Sequence, residues 1–255
     1  MDLIEENWNR MARAYEDFTE APDSYSYTIE WPSIQRMLPS LAGKRVLDLG
    51  CGTGRFTFLL EQLGAGEVIG VDLSQEMLTL AEAKAVERGS HARFIKGDMN
   101  RLQALSLGAF DLIFSSTSTH YLQSLDPFFA ELSNLLKPEG HCVLSVMNPV
   151  YTAQYPIAHG DTFPDDDEWT VRYLDRRPRA YMQPWIEYND DVPNELSCSY
   201  HFTFSDYLTA ALKAGLPLEQ TEEPLPPESW KTESPERYDG FLETPSFWVF
   251  RLGKK

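Results

Sequence analysis

The amino-acid sequence predicts an α/β fold, with helices packed on both faces of a mostly parallel, doubly wound sheet. Short apolar strands alternate with helices over residues 44–147, which is typical of parallel sheets whose two faces are both covered. The first strand, RVLDLG, runs directly into a glycine-rich turn and then a helix, as in ligand-binding doubly wound folds. The chain of 255 residues is long enough for one such domain with an insertion.

Two helices are expected before the first strand. Residues 2–20 carry apolar side chains at three- and four-residue steps, which predicts a helix with one apolar face. The residues on this face are Ile4, Trp8, Met11, Tyr15 and Phe18. A second, short helix is expected after Pro32.

Residues 44–147 supply five strands and three helices. The strands are RVLDLG, EVIGVDL, ARFIKGD, FDLIFSS and HCVLSVM. Gly64 is expected to end the first helix, while Ser74 and Gly89 begin and end the second. Pro138 and Gly140 are expected to close the third helix, PFFAELSNLLKPEG.

Residues 148–200 interrupt this alternation of strands and helices. They are rich in Tyr, Trp, Pro and Asp and show neither a helical nor a strand period. A segment this long without periodicity is seldom an ordinary loop, so we expect a cap over the carboxyl edge of the sheet. Ser205 is then expected to cap the helix FSDYLTAALKAG, followed by a strand, LPLEQTEEP, a proline-rich loop and a last strand, PSFWVFRLG.

The charge of the chain argues against nucleic acid as a partner. The formal net charge of −17 would repel a phosphate backbone. One basic cluster follows an acidic run at residues 165–168 and is expected to be a solvated loop; it consists of Arg172, Arg176, Arg177 and Arg179.

Targeting signals and cysteine usage indicate a cytoplasmic protein. No apolar stretch approaches the ~20 residues of a membrane span, and the acidic start does not resemble a signal peptide. The three cysteines, Cys51, Cys142 and Cys198, fit neither a disulfide framework nor a zinc site.

The glycine-rich turn predicts a nucleotide-containing ligand. Its pattern, D-x-G-x-G-x-G, starts at Asp48, and the glycines allow a ligand to lie against the backbone at a helix N-terminus. A dinucleotide fingerprint would have a third glycine where this chain has Arg55, which disfavours an NAD(P)-dependent oxidoreductase. The candidate ligand-binding residues of the turn are Asp48, Gly50, Cys51, Gly52 and Gly54.

Three further strand ends add polar groups at the same edge of the sheet. Asp72, followed by Leu73, lies about 20 residues after the glycines, where a carboxylate can accept both ribose hydroxyls. Asp98 can accept from an adenine amino group, while the backbone N–H of Met99 reaches a ring nitrogen. Ser115 marks the end of the fourth strand. The alternatives are helix capping for Asp72 and a simple turn for Asp98.

These motifs together resemble the class I S-adenosylmethionine-dependent methyltransferases. The resemblance is carried by VLDLGCGTG, GVDLS, GDM, FDLIFSS and LLKPEGHCVLSV, in the order and spacing of that family. It implies a Rossmann-like sheet of seven strands with the last strand antiparallel. It also implies S-adenosylmethionine as cofactor and S-adenosylhomocysteine as product, with Gly50 by the methionine moiety, Asp72 by the ribose, and Asp98 and Met99 by the adenine.

The periodicity and the resemblance together divide the chain into four parts. Residues 1–35 form an N-terminal helical lid, residues 36–147 the cofactor-binding core, residues 148–200 an inserted substrate cap, and residues 201–255 the end of the core sheet. Lid tyrosines such as Tyr15 and Tyr27 are candidates to cover the cofactor, since aromatic faces suit a sulfonium cation. Ordinary core packing is the alternative for both.

The expected acceptor is a small organic metabolite with an oxygen or nitrogen nucleophile. The sequence SSTS after the fourth strand lacks the motif of DNA adenine methyltransferases, and no cysteine follows a proline as in DNA cytosine methyltransferases. The acidic run at residues 165–168 does not predict a metal site. A protein methyltransferase and a non-catalytic S-adenosylmethionine-binding protein are the alternatives.

Two histidines are candidate general bases. His120 follows the fourth strand by four residues, so it can face the transferring methyl group, and a neutral imidazole can take a proton from the nucleophile. His201 precedes the closing helix and is a second candidate. Packing is the alternative role for each. The sequence does not predict the oligomeric state.

Overall fold

A seven-stranded sheet runs through the middle of the protein in the computed structural model, which describes residues 3–157, 170–183 and 196–254. Its strands are β1 (Arg45–Leu49), β2 (Glu67–Asp72), β3 (Arg93–Lys96), β4 (Phe110–Ser116), β5 (Leu136–Met147), β8 (Leu218–Glu222) and β9 (Phe247–Gly253). Their order is β3-β2-β1-β4-β5-β9-β8. β1 to β5 are parallel, and β9 runs antiparallel to both of its neighbours. The predicted fold, including the antiparallel last strand, is confirmed.

Helices flank this sheet, and a small second sheet lies in the segment that the sequence predicts to be a cap. The helices are α1 (Leu3–Thr19), α2 (Trp31–Met37), α3 (Arg55–Gln62), α4 (Gln75–Arg88), α5 (Leu125–Leu135), α6 (Pro149–Thr152), α7 (Phe204–Lys213), α8 (Trp230–Glu233) and α9 (Pro235–Glu243). The cap sheet pairs β6 (Arg179–Met182) with β7 (Leu196–Ser199) in antiparallel fashion.

The central strands are apolar on both faces because both faces are covered. Side chains alternate across a strand, so Ile113 of β4 faces one buried cluster while Leu112 and Phe114 face the other. Helices α5 and α7 contribute to the first cluster, for example through Phe128, and α2 and α3 contribute to the second, for example through Ile34. This two-sided burial holds the carboxyl ends of the parallel strands at one edge.

Local signals set the ends of most elements. The Ser74 hydroxyl accepts from the backbone N–H of Met77 and starts α4, and Gly89 ends it in the left-handed conformation with φ +61°. The closing helix α7 is capped by Thr203 rather than Ser205. Thr203 forms a reciprocal capping box with Asp206, which Ser205 cannot do from its position inside the first turn.

Three other sequence expectations are corrected. α5 ends at Leu135, and Pro138 and Gly140 lie within β5, where a register shift against β4 accommodates the irregular backbone. The proline-rich loop contains α8 and α9, because Pro235 is well suited to the first turn of a helix. On α1, Phe18 is 49% exposed instead of completing the apolar face.

The arginine cluster of the cap is largely neutralised by its own surroundings. Arg176 pairs with Asp206 at 2.8 Å, and Arg177 pairs with Asp175. Arg179 is fully buried and donates to backbone carbonyls. The acidic run at residues 165–168 lies outside the described residues. Within the described part of the chain, no helix combines the length and apolar character that a membrane crossing requires.

Candidate functional site

The carboxyl ends of β1, β2 and β4 open into a cavity whose empty space, with the open solvent at its mouth included, is about 750 Å³. Such cavities form naturally where the strand order of a doubly wound sheet reverses, here between β1 and β4. Polar groups from strand ends and aromatic groups from α1 share its wall. The lining residues are Ile4, Trp8, Tyr15, Gly50, Gly52, Asp72, Leu73, Met77, Gly97, Asp98, Met99, Asn100, Ser116, Thr117, Ser118, Tyr121 and Leu122.

The glycine turn brings bare backbone to the cavity. Gly50 has φ +69°, and a Cβ built there would lie 2.5 Å from the Ser118 Cβ, so only glycine fits. Gly52 has φ +53° and its backbone N–H donates to Asp72 at 2.8 Å. Two of the predicted turn residues, Gly50 and Gly52, thus line the cavity.

Asp72 organises this end of the cavity. Its carboxylate accepts from the backbone N–H groups of Gly52, at 2.8 Å, and of Ser74, at 2.9 Å. Burial raises the pKa of Asp72, and the backbone N–H groups act against this rise by stabilising the charge. The same carboxylate therefore fixes the glycine turn and borders the cavity, with Leu73 beside it.

The third strand contributes the opposite wall. The Asp98 carboxylate accepts from the backbone and side-chain amides of Asn100, both at 2.8 Å, and so caps the turn that follows β3. Asp98, Met99 and Asn100 all border the cavity. Asp98 and Met99 thus lie at the cavity, and their contact with adenine stays a prediction.

Helix α1 covers the cavity with two aromatic rings. Trp8 and Tyr15 meet edge to face with ring centroids 5.2 Å apart, and Trp8 also meets Tyr121 at 5.7 Å. The helix is tied to α4 by Lys84, whose ammonium lies 2.6 Å from Glu16. A lid with an aromatic inner surface and an ionic outer anchor results.

A smaller chamber adjoins the main cavity and shares Tyr15, Gly50, Gly52 and Ser116 with it. Its wall also contains Asp48, Cys51, Thr53, Arg55 and Phe56. Asp48 accepts from the Thr57 hydroxyl at 2.6 Å, and burial raises the pKa of Asp48 to about 7. Asp48 and Cys51, which were expected beside the ligand, border this adjoining chamber, and their contact with a ligand stays a prediction.

Three predicted ligand contacts lie outside the walls of both cavities. A Cβ at Gly54 would lie 2.9 Å from the Phe58 ring, so this glycine allows helix–strand packing. Ser115 is fully buried and donates to the Leu49 carbonyl at 2.8 Å. The guanidinium carbon of Arg55 lies over the ring of Tyr27, 5.2 Å from the ring centre. These residues support the wall from behind.

His120 also lies behind the cavity wall. Its side chain is 5% exposed, and its Nδ1 has no hydrogen-bond partner. Burial lowers the pKa of His120 to about 3, which keeps the imidazole neutral and makes it a weak base. The neighbouring Tyr121 is the one that borders the cavity. This placement does not fit a general base.

His201 is occupied by structural hydrogen bonds. Its Nε2 lies 2.8 Å from the Tyr173 carbonyl, which can only accept, and its Nδ1 lies 2.8 Å from the Thr152 hydroxyl. Nε2 therefore carries the proton and Nδ1 accepts. Both ring nitrogens are thus used in ties between α6, Tyr173 and the start of α7, and this geometry gives no support to the prediction of a catalytic His201.

Sequence reasoning missed part of the wall. Trp8 was read only as part of an apolar face, although its seven-residue spacing from Tyr15 places both on the same side of α1. Ser116, Ser118 and Tyr121 follow β4, and the signal for them is their position after a strand that ends at the switch point.

Comparison with known proteins identifies the family. Residues 46–140 match the family described as a methyltransferase domain. The crystal structure of an S-adenosylmethionine-dependent methyltransferase from Mesorhizobium loti is similar, with 30% identity, a TM-score of 0.69, and coverage of 88% of this chain and 97% of that one.

Two named relatives match shorter segments. A ubiquinone biosynthesis O-methyltransferase from Nitrosococcus oceani is 37% identical over 43% of this chain and 46% of the relative. A cypemycin N-terminal methyltransferase from a Streptomyces species is 36% identical over 61% of this chain and 62% of the relative. Each match covers less than two thirds of the named enzyme. These similarities agree with the glycine turn, the acidic strand ends and the sheet order. The chain belongs to the S-adenosylmethionine-dependent methyltransferases.

Proposed function

We propose that this enzyme transfers the methyl group of S-adenosylmethionine to an oxygen or nitrogen atom of a small organic molecule. The observation that carries the proposal is the main cavity itself. Its aromatic wall and its few polar anchors are typical of sites for small molecules. The cover formed by Trp8 and Tyr15 favours an acceptor that enters the cavity over one that docks on the surface.

The residues of the cavity fit S-adenosylmethionine. Gly50 and Gly52 give a cofactor tail access to the backbone, Asp72 supplies a carboxylate for ribose hydroxyls, and Asp98 and Met99 supply the groups expected for adenine. Tyr15 adds an aromatic face suited to a sulfonium. The cofactor supplies a methyl group that is already activated, so the protein has to hold the reactants in line and exclude water.

The acceptor side is proposed to involve the lid, residues 1–35, and the cap, residues 148–200. The cap reaches the cavity wall through Gln183, whose side-chain amide donates to the Tyr121 hydroxyl at 3.1 Å. Tyr181 lies in the same buried group, beside Tyr121. Changes in the cap would therefore alter the shape of the acceptor pocket through Tyr121.

No histidine of the described wall is placed to take a proton from the acceptor. The carboxylates of Asp72 and Asp98 already accept from backbone amides. Orientation of the acceptor by hydroxyls such as Ser116 and Tyr121 is the chemistry that the wall offers. This favours acceptors whose nucleophile is reactive once it is desolvated and aligned, such as a neutral amine or a phenolate.

The relatives and the charge bear on the acceptor class. Ubiquinone biosynthesis O-methylation supports a small acceptor, whereas the cypemycin enzyme supports a peptide N-terminus as the second candidate. The net charge of −17 disfavours nucleic acid.

The test compares small molecules with peptides. Purified protein is incubated with S-adenosylmethionine and either a panel of phenols, carboxylic acids and amines or a panel of short peptides, and S-adenosylhomocysteine is measured by mass spectrometry. The proposal predicts turnover with members of the small-molecule panel and its loss in Asp72→Ala. Turnover with peptides alone would replace the proposal with peptide methylation, and cofactor binding without any turnover would support a binding protein.

A further inference from the structure

Glu30 is a buried acid with one carboxyl oxygen left without a partner in the described part of the chain. It ends a π-helical turn, Ser26–Glu30, that lies between α1 and α2, and it is fully buried. Its Oε1 accepts from the Ser116 hydroxyl at 2.5 Å, while its Oε2 has no hydrogen-bond partner. A half-satisfied buried carboxyl is costly, and π-helical turns are frequent at functional sites, so both features indicate a functional role.

Ser116 connects Glu30 to the main cavity. Glu30 itself borders neither the main cavity nor the smaller chamber, whereas Ser116, at the end of β4, borders both. A hydroxyl can donate one hydrogen bond and accept another at the same time. The Ser116 hydroxyl donates to Glu30, so its lone pairs remain able to accept a proton from a molecule in the cavity.

The backbone beside Ser116 is strained. Thr117 has φ +45°, which a β-branched residue rarely adopts. Its backbone N–H donates to the Ser145 carbonyl at 2.8 Å, which holds the turn against β5. Strain of this kind persists where the surroundings enforce it, and it clusters at active sites. The turn therefore fixes Ser116 at the cavity wall.

The surroundings of Glu30 make it a stronger base than an exposed glutamate. Burial raises the pKa of Glu30, while the Ser116 hydroxyl and the positive charge of Arg55 act against this rise. Arg55, at the start of α3, and the Tyr15 phenol of α1 are the charged and titratable groups that act on Glu30 from the packed helices. Arg55 thus favours the ionised carboxylate that a base requires.

The described wall of the main cavity suits a cationic guest. It contains no lysine, arginine or histidine, and it combines aromatic rings with carboxylates, which are Trp8, Tyr15, Tyr121, Asp72 and Asp98. Aromatic faces attract an ammonium group, and a wall with acids alone would repel a carboxylate. Since Asp72 and Asp98 are proposed to bind the cofactor, Glu30 is the acid left for the acceptor.

We propose that the acceptor is an amine, and that Glu30, acting through the Ser116 hydroxyl, removes the proton that prevents the amine from reacting. This inference rests on the proposed function and names its substrate class. An amine that enters as an ammonium ion has no lone pair with which to attack. One of its protons passes to the Ser116 Oγ while the hydroxyl proton of Ser116 passes to Glu30, which becomes a neutral carboxylic acid.

The freed lone pair then forms the bond to the methyl carbon. The electrons of the broken carbon–sulfur bond stay on the sulfur of the cofactor, and the product leaves as a methylated ammonium ion with S-adenosylhomocysteine. Glu30 returns its proton to solvent before the next turnover. Glu30 is thus a positioning residue that acts through Ser116, and Ser116 is the group that touches the acceptor.

The first experiment measures binding and does not depend on turnover. Benzylamine and its neutral counterpart, benzyl alcohol, are titrated by calorimetry into wild type, Glu30→Gln and Ser116→Ala, each saturated with S-adenosylhomocysteine. Wild type is expected to bind the amine about 10-fold or more tightly than the alcohol, as for a charge-assisted hydrogen bond. Glu30→Gln keeps an acceptor for Ser116 but lacks the charge, so the preference should fall to about 2-fold or less, and Ser116→Ala should behave alike.

The second experiment measures turnover against pH with the panel amine that wild type methylates fastest. The acidic limb of kcat/KM in wild type should lie at a higher pH than an ordinary glutamate gives, because the pKa of Glu30 is raised. Glu30→Gln should be about 10²-fold slower at pH 7 and should recover as the pH approaches the pKa of the free amine, since neutral amine then enters directly. Asp48 also titrates near pH 7 but is present in both proteins, so the difference between them reports Glu30.

Controls separate this inference from the proposed function. Unchanged affinity for S-adenosylhomocysteine in Glu30→Gln and Ser116→Ala shows that the variants are folded, and Glu87→Gln, an exposed glutamate outside both cavities, is the matched control. Turnover of phenols or carboxylic acids but not of amines would overturn the inference and leave the proposed function standing. Turnover of no small molecule would overturn the proposed function and the proton transfer with it. An amine preference that is the same in wild type and Glu30→Gln would overturn the role of Glu30.

Discussion

The cavity has two sides that are built by different means: the glycine-turn side, where we propose that the cofactor binds, and the side formed by the proposed cap. On this cofactor side, backbone groups fix the carboxylates that border the cavity, as when Gly52 and Ser74 donate to Asp72. On the cap side, side chains bond to side chains across long stretches of sequence. Thr152 and His201, for example, are 49 residues apart.

This difference explains why one half of the site can be predicted from the sequence. A strand, a glycine turn and a helix cap are local patterns, so their residues predict their geometry. A buried side-chain network depends on which distant segments pack together, and no local sequence pattern predicts that packing. The two halves should accordingly respond differently to substitution and to pH.

The largest expected effect is electrostatic and lies on the cofactor side. Burial raises the pKa of Asp48 from 3.8 to about 7, so the folded state holds a proton that the unfolded state has lost. The contribution of the protonated Asp48 carboxyl to the free energy of unfolding is fully present below about pH 4 and is lost as the pH rises through about 7. Asp48→Asn keeps an acceptor for Thr57. Its free energy of unfolding should therefore rise relative to that of wild type by up to about 4 kcal/mol between pH 4 and pH 8.

Urea denaturation at several pH values measures this gain. The difference between variant and wild type is the relevant quantity, because the other titrating groups are common to both proteins. Asp126→Asn is the control, since Asp126 is an exposed partner of Lys213. A difference that does not change with pH would show that Asp48 titrates as an ordinary carboxyl.

The second effect concerns cofactor affinity. Asp72→Ala removes an acceptor from the Gly52 and Ser74 amides and from the proposed ribose hydroxyls. We expect S-adenosylhomocysteine to bind about 2–3 kcal/mol more weakly, which is about 30–150-fold in dissociation constant. Calorimetry on Asp72→Ala and on Asp126→Ala makes the comparison, and equal affinities in the two variants would remove Asp72 from the site.

The contrast between the halves also explains which features the sequence could predict. The strands of the core and the positions of Asp72 and Asp98 at the cavity followed from periodicity and from the shared edge of parallel strands. Thr203 was missed as a cap because a second hydroxyl, Ser205, stands two residues later. The choice depends on Asp206 reaching back to Thr203.

Other site residues could not be predicted for physical reasons. Tyr121 rather than His120 borders the cavity because a short helical turn at Thr119–Tyr121 sets which side chain faces inward. Arg55 was read as the absence of a glycine, since its burial and its unpaired donors exist only in the folded protein. The cap networks depend on contacts that no spacing rule describes.

The third effect tests the cap side. His201→Phe leaves the Thr152 hydroxyl and the Tyr173 carbonyl without their partner. We expect a loss of about 2 kcal/mol in the free energy of unfolding, with turnover per folded molecule unchanged. Thr152→Val should cost about 1 kcal/mol, and the double variant little more than His201→Phe alone, because both substitutions break one network. A specific loss of turnover at full stability would instead restore a catalytic role for His201.

The smallest effect is expected at His120, where the two halves meet. His120→Phe keeps a ring of similar size and removes an Nδ1 that has no partner. Stability should stay within about 1 kcal/mol of wild type, because an unpaired buried polar atom is replaced by an apolar one. The adjacent Tyr121→Phe, which alters the cavity wall and the bond from Gln183, is the matched comparison and should raise the KM for the acceptor.

Kinetics of the His120 variant then decide its role. The pKa of His120 lies at about 3, so its imidazole does not titrate between pH 5 and pH 9. The pH–rate profiles of wild type and His120→Phe should therefore overlay, with turnover within about 2-fold, since a lost general base typically costs about 10²-fold or more. A fall of that size, together with loss of the acidic limb of the profile, would show that the side chain moves into the cavity when both substrates are bound and takes the proton there.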